Sequence, residues 1–346
     1  MSQITKKTAE LCTLLEQQIE NLINTPKEDK RSQIELNKMN NELYKLKKLS
    51  DSISALDNYK SGRIKADNLL VEGLKNSNEN LINLALDNGA DMHKEFMYKE
   101  TPLTFAIKHD KKDTPILDIF IKHGADFNQP INIGSGDSEY KYSNYLAYAI
   151  DYAPEYVSLD TIKKIAEHTT SENIKNAKII HPANPQSCSN PKFIETPILH
   201  MICNRGYSDL SSKQILPICD VLFQHGYNVN TKNDKGKTAI TYAGHARNLE
   251  VLNKLVKMGG NLDEIFPDST VSMYDILYEK DGTHKQDLYR AYDPKRLKDK
   301  PQSEWDEDAL KSYQLHEKNL DTLYQTYRAQ KQKQQQIWRD KKFNHK

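Results

Sequence analysis

A short helix-turn-helix signature that recurs along this chain confines it to a stacked, repeating fold. Four segments close a helical pattern with Gly-x-Asp or Gly-x-Asn: Gly89-Ala90-Asp91, Gly124-Ala125-Asp126, Gly226-Tyr227-Asn228 and Gly259-Gly260-Asn261. Five segments open one, beginning at Thr101, Asn144, Thr196, Thr238 and Ser272. Glycine suits the left-handed residue that ends a helix, and Thr, Ser or Asn suits the N-cap, where a side-chain oxygen meets an orphan amide. Between Thr238 and Gly259, Val251, Leu252, Leu255 and Val256 recur at helical spacing, giving the second helix of that unit one apolar face. One such unit cannot bury that face alone, so neighbouring units must stack.

The motifs are specific in combination. Thr101-Pro102-Leu103-Thr104-Phe105-Ala106 and Thr196-Pro197-Ile198-Leu199-His200-Met201 are openings of one type, and Asn233-Asp234-Lys235-Gly236 is turn chemistry ahead of Thr238. Thr238 and Ser272 open units 34 residues apart. This array resembles the ankyrin repeat, whose period is about 33 residues. Asn80 to Asp91 is similar to the second helix and ending of such a repeat, so residues 64–91 read as a degenerate first unit. The resemblance implies an all-α solenoid of about six helix-turn-helix repeats with hairpin loops over 63–298. It also implies a protein that binds other proteins through hairpin tips and inner helices, without catalysis.

The openings are spaced 43, 52, 42 and 34 residues, so the middle units carry insertions. Asn128 to Ser143 holds Tyr140-Lys141-Tyr142, and His181 to Glu195 holds three prolines and Lys192-Phe193. Loops on a rigid scaffold are where recognition concentrates, and aromatic anchors dominate binding energy. The partner-binding residues expected on this basis are Tyr98, Tyr140, Tyr142 and Phe193 as apolar anchors. Lys192, Lys235 and Lys237 would steer an acidic partner. Either insertion can equally be a spacer packed on its own repeat.

Residues 1–62 read as an N-terminal helical hairpin. Ile4, Leu11, Leu15 and Leu22, with Leu14 and Ile19 beside them, form one stripe, and Thr25-Pro26-Lys27-Glu28 ends one helix and caps the next. Leu36, Met39, Leu43, Leu46 and Ile53 then make an a/d-like seam. A cap for the solenoid fits better than a dimerising coiled coil, because Ser50 and Asp57 interrupt the seam. Residues 299–346 read as a C-terminal helix with a basic tail. Leu310, Tyr313, Leu320, Tyr324, Tyr327 and Trp338 recur at helical steps, suggesting a face packed on the last repeat. Arg328 to Lys346 carries seven basic residues against one acidic.

Composition narrows the function. With 49 basic and 48 acidic residues the net charge is +1, which argues against a chain built wholly around nucleic acid or membrane. Mean hydropathy of −0.79 suits a thin solenoid rather than a thick core. No apolar run is long enough to cross a bilayer, and no signal-peptide pattern opens the chain. Four cysteines without a Cys-x-x-Cys pair read as free thiols of a reducing compartment. Abundant Lys, Asn and Ile, with the resemblance, point to an effector of an intracellular bacterium. Such a protein would be cytoplasmic, or secreted into the host cytosol by a type IV system, and would act on a host protein. The alternative is a repeat scaffold presenting the basic C-terminal helix to nucleic acid or acidic lipid, or an enzyme whose site is unrecognised.

Signals for other chemistry are weak. Gly236-Lys237-Thr238 imitates the end of a phosphate-binding loop, but Thr231 stands where its first glycine belongs. His181, Cys188, His200 and Cys203 lie close in sequence without a zinc-ligand spacing. No catalytic set, cofactor or metal is expected.

Overall fold

A computed structural model describes residues 3–23, 30–96, 99–111, 115–134, 139–153, 155–182, 193–205, 212–246, 248–265, 270–279, 282–283 and 307–343. The chain is mostly helical and divides into two compact units, residues 1–125 and 126–346.

In the first unit, α1 (Gln3–Ile23) and α2 (Lys30–Lys60) pack as the expected hairpin, tied by Glu16 to Lys47. The turn residues Thr25 to Glu28 lie outside the described residues. The buried stripe of α1 differs in part from the expected one: Ile19 is buried as expected, but Thr8 and Cys12 are buried too, while Leu11 and Leu14 are exposed. The short side chains Thr8 and Cys12 fit the closed side of α1, and the bulkier Leu11 and Leu14 stand on its open side. The side chains of Ile4 and Leu22 lie outside the described residues. Two helix pairs follow, α3 (Ala66–Asn76) with α4 (Glu79–Asp87), and α5 (Pro102–His109) with α6 (Ile116–Lys122). Helix α2 packs on α3, α3 on α5 and α4 on α6, so the pairs stack in register.

The second unit continues this logic in two rows. Its inner helices are α7 (Tyr145–Asp151), α10 (Ile198–Arg205), α12 (Ala239–His245) and α14 (Met273–Leu277), each packed on the next. Its outer row is α8 (Leu159–Glu167), α11 (Ser212–Gln224) and α13 (Leu249–Lys257), and α15 (Glu307–Phe343) then packs on α13. Thus α15 takes the place of the outer helix that α14 would otherwise need. Leu320 and Leu323 are fully buried beneath it, and the Tyr278 hydroxyl donates to the Leu320 carbonyl at 3.0 Å. Tyr324 and Tyr327 pack on Tyr278 and Tyr274, as a helix facing the last repeat requires. Trp338 departs from that expectation, since it lies past the docked stretch and is 63% exposed.

The repeated turn is one structure built four times. Gly89, Gly124, Gly226 and Gly259 all take φ between 78 and 98°. The next amide donates to the carbonyl five residues back in each case: Ala90 to Ala85, Ala125 to Phe120, Tyr227 to Leu222 and Gly260 to Leu255, at 2.9–3.0 Å. This is the Schellman closure. The Asp or Asn that follows folds its own side chain onto the chain, with Asp91 accepting from the His93 amide and Asp126 from the Asn128 amide. Asn228 and Asn261 do the same to Asn230 and Asp263. The residue between them then accepts from the start of the next first helix: Leu103 to Met92, Tyr145 to Phe127 and Tyr274 to Leu262.

The helix openings obey the capping rule with two exceptions. Thr101 with Thr104, and Ser272 with Asp275, form capping boxes, and Asn144 accepts from the Ala147 amide. Thr238 occupies its N-cap but its hydroxyl caps nothing, because the Thr241 amide bonds the Thr238 carbonyl instead. Thr196 is not a cap either. It lies in a strand, Phe193–Pro197, and the Ile198 amide bonds the Ala177 carbonyl at 2.9 Å. Replacing Thr101 with Ala is expected to cost about 1 kcal/mol in urea unfolding, because its buried hydroxyl accepts from the Thr104 amide at 3.1 Å.

A four-stranded antiparallel sheet was not expected. Strands β1 (Ile131–Ile133), β2 (Tyr140–Tyr142), β3 (Lys178–Pro182) and β4 (Phe193–Pro197) pair in that order. Short helix α9 (Ser171–Lys175) leads into β3. The two insertions are therefore one structure rather than two loops.

Candidate interaction site

The register of the strands sets the two faces of the sheet. Ile131 faces Tyr142, Ile133 faces Tyr140, Tyr142 faces Ile179, and His181 faces Ile194. Because side chains alternate along a strand, Ile131, Ile133, Tyr140, Tyr142, Ile179, His181, Ile194 and Thr196 share one face. Asn132, Lys141, Ile180 and Glu195 lie on the other, where Lys178 pairs with Glu195 at 2.6 Å.

The first face has two halves. Its inner half, Ile131, Tyr142 and Ile179, is buried. Its outer half, Ile133, Tyr140, His181 and Ile194, is partly open to solvent, with Tyr140 39% exposed. The Tyr140 and His181 rings stack with centroids 6.4 Å apart and an interplanar angle of 23°, and His181 Nε2 lies 3.2 Å from Thr196 Oγ1. A small, half-apolar platform results, and strand pairing on both sides fixes it.

Tyr142 holds the platform to the body. Its hydroxyl donates to Asp151 Oδ2 at 2.6 Å, and its ring meets Tyr148 edge-on at 5.4 Å. Burial, with the Asp151 carboxylate beside it, pushes the phenol far above its usual range. The contacts continue through Tyr148, Tyr152 and Tyr156, ending at a ring that is 56% exposed. Tyr142 was expected to be an anchor; at 2% exposure it cannot touch a partner. The pleat explains the split, since Tyr140 and Tyr142 share a face whose inner end lies over α7.

The remaining expected residues divide. Tyr98 and Lys192 lie outside the described residues. Phe193 begins β4 opposite Pro182, at the open end of the sheet, and its side chain is not described. Lys235 is exposed on a turn held by Asn233, whose Oδ1 accepts the Lys235 and Lys237 amides at 3.0 Å. Lys237 is only half exposed, and its carbonyl accepts from His200 Nε2 at 2.8 Å. His200 follows β4 directly on α10, so this bond ties the lysine turn to the strand–helix junction.

His200 and Cys203 therefore have structural surroundings. His200 packs edge-on against Tyr242, and burial pushes its imidazole below the usual range. Burial pushes the Cys203 thiol well up and the Cys219 thiol up to about 12, so neither is a ready nucleophile. Cys188 lies outside the described residues, and among those described no three His, Cys, Asp or Glu side chains cluster to hold a metal.

The depressed His200 pKa carries a pH prediction. The unfolded chain takes up a proton near pH 6.5 while folded His200 resists it, so this stability is complete above about 6.5 and falls as pH drops. Urea midpoints at about pH 7.5 and 5.5 should differ more for the native chain than for His200→Gln, which can still donate to Lys237. Equal differences would show that His200 protonation does not load the fold. His109, depressed mainly by burial, leaves a residual slope in both.

Sequence reasoning missed His181, Ile133 and Ile194 as surface residues. For Ile133 the signal was present in the two-residue alternation of Ile-Asn-Ile and Tyr-Lys-Tyr, each short enough to read as loop; β3 and β4 place Ile179 beside Ile180 and Phe193 beside Ile194 and carry no such alternation. No helix among the described residues is long and apolar enough to cross a membrane. Compared with known proteins, the chain matches no family model and no curated sequence.

Proposed function

We propose that this chain is an ankyrin-type repeat protein that binds a partner protein through the sheet its insertions form. The family reading draws support from the four identical Gly-x-Asp/Asn turns and the two rows of stacked helices. One observation carries the binding reading: Tyr140, Ile133, His181 and Ile194 stand partly exposed on a face that backbone pairing already orders. A pre-ordered surface loses little conformational entropy on binding, so a few apolar contacts give usable affinity. Tyr is among the residues enriched at binding hot spots. The exposed Lys235 turn adds positive charge that favours an acidic partner. The site acts by shape and apolar contact, not by catalysis, and a host cytosolic protein is the partner class proposed from the composition.

Photo-crosslinking tests this directly. A benzophenone side chain placed at position 140 should capture one discrete protein from eukaryotic lysate, and excess unlabelled protein should compete it away. The same group at exposed Lys60, far along α2, should not capture it. Equal capture from both positions would remove the sheet as the site.

A further inference from the structure

A cleft of about 540 Å³ lies between α2 and α3, the size of a small-ligand site. Asp51, Ser54 and Asn58 line it at helical steps of three and four, so they share one face of α2 over about 10 Å. Asn68, Val71 and Glu72 line it from one face of α3. The link between the helices is short, so they run antiparallel: Asn58 stands opposite Asn68, and Asp51 stands at the Glu72 end. Ile64, within that link, lines the other end. Phe96 belongs to that end too, because Lys94 pairs with Asp67, the neighbour of Asn68, at 2.6 Å. The Phe96 amide donates to the Glu100 carbonyl at 2.9 Å, which pins the backbone that carries the ring. The cleft is therefore graded, aromatic and apolar at one end and acidic at the other.

Its polar groups are under-used. Among the described residues, the side chains of Ser54 and Asn68 make no hydrogen bond, and Asp51 closes no ion pair. Asn58 engages only its carbonyl oxygen, with Arg63 Nη1 at 3.4 Å. Lys47, whose charge reaches Asp51, is bridged to Glu16. Lys75, the cation of the lining, is held by Glu72 at 2.9 Å, so the cleft stays acidic. A phosphate or carboxylate ligand would meet that charge, and a wholly apolar one would cover Asp51 and Asn68 without pairing them. The two carboxylates have no third metal-binding neighbour among the described residues. An arginine within a peptide answers each group in turn. Its methylenes lie along Ala55 and Val71, and its flat, weakly hydrated guanidinium gives Asp51 two parallel N–H donors. Main-chain N–H and C=O groups match the Asn58 and Asn68 carboxamides. That leaves Ile64 and Phe96 to a neighbouring apolar side chain.

We propose that the α2–α3 cleft binds an extended segment of a partner protein in which an apolar residue stands next to an arginine. The site is independent of the sheet. The test uses the full chain with isotope-labelled Ile and Val methyls, titrated with the dipeptide acetyl-Leu-Arg-methylamide and followed by NMR. The Ile64 and Val71 methyl resonances should shift saturably, with a Kd of about 0.1–1 mM. The citrulline dipeptide, neutral but of the same shape, should bind at least about tenfold more weakly. Asp51→Asn should weaken the arginine dipeptide about tenfold, and Asn68→Ala about threefold. Both side chains are exposed, so both variants should melt with the native chain. The proposal is overturned if the two methyls do not shift, if citrulline serves as well as arginine, or if either variant binds normally. Spermidine shifting the same methyls at lower concentration would make the ligand a free polyamine, and would overturn it too.

Discussion

Replacing Leu323 with Ala is expected to destabilise the second unit by about 2–5 kcal/mol, the range for emptying a closed apolar site. Leu323 is fully buried with Leu320, and its cavity could not collapse easily. The flanking turns are fixed by Thr326 to Asn253 at 2.7 Å and Tyr327 to Asp263 at 2.8 Å. Leu323→Asp should go further, because a carboxylate there must either stay unpaired or force the helix off α13. Trypsin would then cut the Lys- and Arg-rich stretch of α15 much faster than in the native chain. Gly282→Ala should act in the same direction, since φ there is 89° and a Cβ would clash with the Tyr324 hydroxyl oxygen. If Leu323→Asp keeps the native melting curve and protease pattern, α15 is not the outer helix of the last pair.

Changing Tyr140 and His181 together to Ser should weaken partner binding about 30-fold, the scale of a binding hot spot. The stacked pair offers the exposed aromatic area of the platform, and strand pairing keeps the backbone in place when the rings are removed. Tyr142→Phe is the internal control. It removes the bond to Asp151 and should cost about 1–3 kcal/mol of stability, yet leave affinity unchanged at temperatures where the chain is folded. Titration calorimetry with the crosslinked partner, once purified, separates the two effects. Affinity lost in Tyr142→Phe and kept in the double variant would reverse the assignment.

Much of the architecture was legible because repeats state their rules several times. The Gly-x-Asp endings marked their helix ends, and the aromatic spacing of Tyr324 and Tyr327 marked the docked face of α15. Reading failed where a local rule had two solutions. Thr196 looked like a helix cap, but strand pairing took it first, and the helix began two residues later. In α1, leucines marked a stripe, yet beside Ile19 the small residues Thr8 and Cys12 are the buried ones and Leu11 and Leu14 are exposed. The site was half legible for a similar reason. Residue type singled out the two insertions, but only the pairing of the strands over α7 leaves Tyr140 open and Tyr142 closed.

Hydrogen exchange on the captured complex tests the central claim most directly. Binding at the sheet should slow amide exchange in residues 131–133, 140–142 and 178–182, with little change in α1 and α2. Protection confined to the hairpin or to α15, with the sheet exchanging as in the free protein, would contradict it.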